Sequence, residues 1–303
     1  MIFDFLLFDN FSNHCLANTV EPLRAANDLS KKKLYTWRFL TLDGLPATSS
    51  SGMQVTPQSA LAESRGDVLA VMPSYRFRDF GNANTSRQLR RAANQYGIMA
   101  GLDTGSWLLA KAGLLEGYQA TIHWEELSAF AETFPAIDAR RERFVIDDNR
   151  ITCSGAMAAF DLTLHLISEG HGEMLAIDVA QLFMTIGSVH AHSLNFRVGT
   201  KTSDKAISCM QENLETPLPI SEIAKYVGCS QKTLENRMKA ALKASPQSVY
   251  LRLRLNLARK LVSETDQSFS EIAGRCGYEN ASAMTRAFKA KFGQTPRNLR
   301  TQG

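Results

Sequence analysis

In the first two hundred positions, short apolar runs alternate with stretches of helical spacing. Residues 2–8, 35–42, 68–72 and 98–102 read as strands, and 144–146 with 151–153 as a hairpin turned at Asp147-Asp148-Asn149. Between them the spacing predicts helices over residues 13–28, 86–95, 104–112, 124–133, 156–168 and 173–183. Such alternation means a mainly parallel sheet sandwiched by helices. Folds of this kind place ligands outside the carboxyl ends of their strands, which directs attention to the end of the strand at 98–102.

The pattern changes near residue 200. From Leu218 to Arg300 the periodicity is helical throughout, and one unit occurs twice. Ile220-Ser221-Glu222-Ile223-Ala224 returns 49 residues later as Phe269-Ser270-Glu271-Ile272-Ala273, and Gly228 as Gly277. Met238-Lys239-Ala240 and Pro246 return 50 residues later as Phe288-Lys289-Ala290 and Pro296. Each copy is a short amphipathic helix, a turn holding a Gly, and a second helix, which is the helix-turn-helix pattern. Ser230 and Asn280 stand where N-caps of the second helices belong.

In those second helices Leu234, Met238 and Leu242, and Met284, Phe288 and Phe292, form apolar stripes for packing. The opposite faces carry Gln231, Lys232, Glu235, Asn236 and Lys239 in the first unit, and Ala281, Ser282, Thr285, Arg286 and Lys289 in the second. Taken alone, either face is an ordinary solvated surface. The duplication, the caps and the charge make them candidate contacts to base edges and phosphates in a major groove. Between the units, Leu253, Leu257 and Leu261 recur at i+4 steps in a helix over 249–265, roughly 25 Å long. It could hold two reading heads about one DNA turn, roughly 34 Å, apart.

Charge divides the same way. Residues 201–303 carry 17 Lys and Arg against 9 Asp and Glu, a balance of +8, while residues 1–200 carry 17 against 21, a balance of −4. A basic rear domain behind an acidic front one is the electrostatic footprint of a nucleic-acid binder. A length of 303 residues suits two domains, and 44% hydrophobic content is enough for real cores. No apolar run is long enough to span a membrane, and Met1-Ile2-Phe3-Asp4 lacks the basic start of a signal peptide. Cys15, Cys153, Cys209, Cys229 and Cys276 form no CxxC pair. This odd set argues against a disulfide framework or a zinc site and for a reducing cytoplasm.

The stretch Ser245-Pro246, Tyr250-Leu251 and Leu255-Asn256-Leu257-Ala258-Arg259-Lys260-Leu261 resembles the linker region of AraC/XylS-family transcription regulators. Glu271-Ile272-Ala273, Cys276-Gly277-Tyr278, Phe288-Lys289, Phe292-Gly293, Thr295-Pro296 and Arg300 resemble that family's second-half signature. The resemblance implies two helix-turn-helix units reading adjacent major-groove segments, usually to activate transcription.

In the front half, Gly101-Leu102-Asp103-Thr104-Gly105-Ser106-Trp107 forms a Gly-flanked strand-to-helix turn that resembles a nucleophile elbow. With Gly113-Leu114-Leu115-Glu116-Gly117 and Thr121-Ile122-His123-Trp124 it resembles the PfpI/ThiJ-like, class I glutamine amidotransferase-like domain of GlxA-type AraC regulators. In that superfamily the elbow usually holds a Cys, a later Thr-x-His supplies a His, and an early Glu completes the site. Here Asp103 holds the elbow, His123 matches the His, and the resemblance points to Glu21 as the early Glu.

A thiolate at an elbow attacks carbonyls, whereas an aspartate is a weak nucleophile better suited to holding charge. The front domain therefore reads as a retired enzyme fold used as a sensor, with no catalytic residue, cofactor or metal. Two alternatives stand beside this: an active amidase or hydrolase acting through Asp103, and a redox sensor acting through Cys15 or Cys153. Both cysteines also read as small buried hydrophobes. Asp103, Glu21 and Glu125 supply carboxylates, and Trp107 and Trp124 flank the elbow and the His. Carboxylates with aromatic faces make a cation box, and Arg24 could meet a ligand carboxylate through its fork. The expected effector is a small cationic or zwitterionic metabolite of the betaine, carnitine or basic amino-acid type. Tryptophans of α/β domains more often sit in cores, and a lone His is more often scaffold; Asp103 stands apart because an elbow presents its residue by geometry.

Over residues 190–204 the helical periodicity lapses, which reads as a linker. His190 and His192 lie there with no Cys or carboxylate near them in sequence and make a poor metal site. The expected organisation is a flavodoxin-like α/β sensing domain over 1–189, the linker over 190–204, and an all-α tandem helix-turn-helix domain over 205–303. The expected partners are double-stranded DNA, a small-molecule effector, RNA polymerase and a second copy of the chain, since two half-sites ask for two reading heads. No membrane partner is expected.

Overall fold

A strand buried on both faces belongs in the middle of a parallel sheet, and Ile2–Leu7 is such a strand, with Phe3 through Leu7 all buried. In the computed structural model, which describes residues 1–183 and 201–301, this strand (β1) joins six others in one sheet. They are Thr36–Thr41 (β2), Ser59–Ala60 (β3), Gly66–Met72 (β4), Tyr96–Leu102 (β5), Phe144–Asp147 (β6) and Arg150–Cys153 (β7). The order across the sheet is β6-β7-β5-β4-β1-β2-β3. Every pairing is parallel except the β6/β7 hairpin. The chain runs outward from β1 to β3, crosses back to β4, and runs outward again through β5 to β7. That reversal puts a topological switch point between β1 and β4, where open α/β sheets leave a crevice at the carboxyl ends of their strands.

The helices of the front unit are Asn13–Ser30 (α1), Ala83–Ala92 (α2), Gly105–Lys111 (α3), Leu127–Thr133 (α4), Ala156–His171 (α5) and Glu173–Phe183 (α6). Three depart from the expected bounds by three residues, each for a local reason. α2 starts three residues early because the Asn82 side chain accepts from the Thr85 backbone N–H at 3.0 Å and caps it there. The helix expected over 124–133 opens with a 3-10 turn, Trp124–Glu126, before α4. α5 runs on to His171 and stops at Gly172, whose φ of 90° is left-handed. The core on one face of the sheet is Leu69, Val71, Met99, Leu108, Leu109 and Phe130, while α1 packs on α5.

The chain divides at residue 180 into two compact units. The rear one contains Lys201–Glu212 (α7), Ile220–Tyr226 (α8), Gln231–Leu242 (α9), Pro246–Glu264 (α10), Phe269–Arg275 (α11), Ala281–Phe292 (α12) and Pro296–Arg300 (α13). α7 begins at Lys201, so the last residues of the stretch expected as linker are helical; its buried Ala206, Ile207 and Met210 explain why. His190 and His192 lie outside the described residues. Both expected caps form: Ser230 accepts from the Thr233 N–H at 3.1 Å, and Asn280 from the Ala283 N–H at 2.9 Å. Leu234, Met238, Leu242, Met284 and Phe288 are buried as the stripes require. The helix between the units starts earlier than expected, at Pro246, with Ser245 as its cap and proline in its first turn.

Candidate effector cleft and DNA-reading faces

The elbow takes its shape from two glycines. A Cβ on Gly101 would stand 2.6 Å from the Ser106 nitrogen, and one on Gly105 would stand 2.0 Å from the Val71 carbonyl oxygen. Neither position tolerates a side chain, so β5 can turn directly into α3 against β4. The residue between them, Asp103, is forced to a left-handed φ of 61°. Non-glycine residues adopt that conformation at a cost, and such strain clusters where a fold presents a functional side chain.

Asp103 opens into a cleft of about 600 Å³ lined by Ser74, Tyr75, Arg76, Phe77, Arg78, Thr104, His123, Trp124, Glu125 and Glu126. A smaller hollow of about 370 Å³ also includes Asp103, Tyr75 and His123, together with Ser12, Asn13, His14, Ser50, Ser51 and Ala156. Ser12 to His14, Ser74 to Arg78, Asp103 with Thr104, and Ala156 follow the carboxyl ends of β1, β4, β5 and β7, flanking the switch point, while His123 to Glu126 come from the segment after the short strand Gln119–Ala120. Burial raises the Asp103 carboxyl above its ordinary pKa, while the Ser74 hydroxyl and His123 pull it back down. The Asp103 carbonyl accepts from the His123 backbone N–H at 3.1 Å, which ties the later Thr-x-His stretch to the elbow. His123 Nδ1 lies 3.8 Å from the Glu125 carboxylate, and its ring is 6.0 Å from that of Trp124. Trp124 and Tyr75 are 69% and 61% exposed, unusual for rings of this size and available to a ligand.

Of the seven residues expected to hold an effector, four meet in this cleft: Asp103, His123, Trp124 and Glu125. Three lie elsewhere. Trp107 is one turn into α3, which rotates its ring into the core against Phe77, Phe130 and Phe134. Glu21 and Arg24 pair with each other on α1 at 2.7 Å, Arg24 also binds Asp28 at 2.7 Å, and neither lines the cleft. The sequence reading missed Ser74, Tyr75, Arg76 and Arg78. Their signal was available: they follow β4, which the reversal of strand order places at the switch point.

Cys15 and Cys153 are fully buried. Burial pushes the Cys153 thiol up to about 12 and the Cys15 thiol well above its usual value. A protonated, water-excluded thiol is a poor nucleophile and a poor peroxide sensor.

In the rear unit, Gln231, Lys232, Asn236 and Lys239 of α9 and Ser282, Arg286 and Lys289 of α12 are exposed; Glu235, Ala281 and Thr285 are partly so. The expected reading faces therefore point away from the packing stripes. Gln231 donates to the Glu235 carboxylate at 2.9 Å, which preorients the first face.

Comparison with known proteins follows this division. A helix-turn-helix domain family matches residues 223–302. The HTH-type transcriptional regulator GbdR of Pseudomonas aeruginosa is 36% identical over 98% of this chain and 83% of its own length. The HTH-type transcriptional regulator GlxA of Rhizobium meliloti is 32% identical over 98% of this chain and 94% of its own. An isonitrile hydratase of Pseudomonas putida is 30% identical over 59% of this chain and 74% of its own length. A THiJ/PfpI family protein of Pseudomonas syringae shares the fold at a TM-score of 0.53 and 19% identity, across 83% of this chain and 90% of its own. With full-length likeness to named regulators, an AraC-type helix-turn-helix domain behind and a ThiJ/PfpI fold in front, the chain belongs to the GlxA-like AraC-type transcription regulators.

Proposed function

We propose that the chain is an effector-gated transcription activator whose front domain, residues 1–189, binds a small cationic or zwitterionic metabolite without turning it over. The observation that carries this is Asp103: a carboxylate stands at a strained elbow, in a cleft with two exposed aromatic rings. Cations rest on such rings, and an ionised carboxylate supplies the counter-charge. The rear domain, residues 205–303, would read two adjacent major-groove segments of DNA through α9 and α12. It would work as a homodimer, and effector binding would favour the activating arrangement on DNA with RNA polymerase.

The test is a thermal-shift panel on the full chain with betaine, carnitine, dimethylglycine, arginine and uncharged isosteres, with and without Asp103→Ala. A ligand at about a hundredfold over its dissociation constant stabilises by about 2.7 kcal/mol. A shift for one cation that disappears in Asp103→Ala supports the reading; silence from every cation rejects it. Similarity to an isonitrile hydratase favours a second reading, a front domain that adds water to a small nitrogen compound. That reading requires turnover that is lost in Asp103→Asn.

A further inference from the structure

The segment after β4, residues 73–77, carries the strongest observation that the sequence reading passed over. Ser74 and Arg76 both hold left-handed backbone, with φ of 52° and 55°, a conformation unfavourable for any residue with a Cβ. The segment is pinned at both ends. The Ser12 N–H donates to Ser74 Oγ at 3.0 Å, and the Thr104 hydroxyl donates to the Ser74 carbonyl at 2.7 Å. At the other end Phe77 is buried, its ring edge-on to Trp107 at 5.4 Å. Between these anchors Tyr75 is 61% exposed and the Arg76 side chain 73% exposed, and both line the cleft. A fold that strains two residues to hold a ring and a cation out of its core, beside a hollow, is arranged for recognition.

The second cation of the cleft, Arg78, is already engaged. Its guanidinium lies 4.6 Å over the Phe77 and Trp107 rings and donates to the Glu126 carboxylate at 2.5 Å. Arg76 is paired with Asp79, three residues on, in a solvent-exposed contact of the weak kind. A ligand carboxylate can share or take over that fork.

We propose that the effector is a zwitterion held at two points: its cationic group against Asp103 between the Tyr75 and Trp124 rings, and its carboxylate in the guanidinium fork of Arg76. This rests on the cleft reading above, excludes from it cations that lack a free carboxylate, and assigns the residue that binds the carboxylate. Arg76 then takes the part that the sequence had offered to Arg24. It sets specificity, because a ligand lacking the carboxylate leaves the fork without its charge-assisted pair.

Isothermal titration of the full-length protein tests this with ligand pairs that differ in the free carboxylate: glycine betaine and choline, carnitine and its methyl ester, arginine and agmatine. One zwitterion should bind, and its carboxylate-free partner should bind at least about tenfold more weakly. In Arg76→Gln the zwitterion should fall to the level of its partner, with the partner changed by less than about twofold. Arg76→Lys, which keeps the charge but loses the fork, should recover part of the loss. Equal affinity within every pair, or Arg76→Gln binding the zwitterion as the parent does, overturns the carboxylate clamp and leaves the cation cleft standing. Absence of binding by every pair, or binding untouched by Asp103→Ala, overturns the cleft reading and the clamp with it.

Discussion

Gly228 and Gly277 occupy matching turns of the two helix-turn-helix units, with φ of 74° and 71°, yet their surroundings differ. A Cβ on Gly277 would stand 2.4 Å from Pro217 Cγ and 2.7 Å from the Leu214 carbonyl oxygen, while one on Gly228 would meet nothing within 4 Å. Alanine at either site costs about 1–2 kcal/mol for left-handed backbone. Only Gly277→Ala adds the overlap, about 1–3 kcal/mol more. Urea unfolding of the two variants should show this gap, and equal losses would refute the packing argument. Asp103 offers a prediction of a different sign. Its folded pKa is raised, so the folded state binds the proton more tightly than the unfolded one. Ionising it costs stability, nothing below the ordinary carboxylate pKa and progressively more as pH rises towards and through the raised value. Asp103→Asn removes that cost. Near neutral pH the variant should melt at or above the parent temperature while losing cation binding. In the parent, cation affinity should fall as pH drops through the raised value, because a protonated Asp103 carries no charge. A variant that melts well below the parent near pH 7 would contradict the desolvation argument.

Among the elements, α10 does more than separate the two units. Tyr250, near its start, donates its hydroxyl to the Asn213 carbonyl at 2.6 Å and accepts from the Leu218 N–H at 3.2 Å, holding the approach to α8. One turn later Arg254 donates to the Cys276 and Gly277 carbonyls at 2.7 and 2.6 Å and lies 4.3 Å over the Tyr278 ring. The Cys276-Gly277-Tyr278 signature is thus the seat of an arginine from α10. Arg254→Met should cost about 1.5–3 kcal/mol, the range for hydrogen bonds to a charged group. Amide exchange should quicken at the α11–α12 turn and not at the α8–α9 turn; uniform quickening would mean that Arg254 supports the whole unit. Such ties explain what was legible in sequence. The central strands were legible because continuous burial writes itself as apolar runs, and the elbow because close backbone approach demands glycine at Gly101 and Gly105. β3, two residues long, has no period to detect. Trp107 was placed in the site by its nearness to Asp103 along the chain, but one turn of helix carried it into the core. Tyr75 and Arg76 sit in a loop without periodicity, where only the strand order marks their importance.

For the whole molecule, charge separates the two proposed jobs: an acidic front that would accept a cation, and a basic rear that would meet a polyanion. The rear domain's excess of positive charge suits the polyanion that a helix-turn-helix domain reads. Lys232, Lys239, Arg286 and Lys289 are the exposed cations on the two candidate faces. If the three lysines meet phosphates, they add about −2.7 per protomer to the slope of log affinity against log salt. Lys232→Ala, Lys239→Ala and Lys289→Ala should each flatten that slope by about 0.9 and weaken specific and random DNA alike. Arg286 stands on the α12 face among Ala281, Ser282 and Thr285, side chains too short to hold it off a base edge. Arg286→Ala should therefore cost about 1–3 kcal/mol on the cognate site, leave random DNA nearly unchanged, and relax preference at one base pair. Filter binding across a salt series separates the two behaviours. An Arg286 variant that loses both affinities equally, with a flattened slope, would make this residue a phosphate contact and shift base reading in the second unit to Ser282 and Thr285.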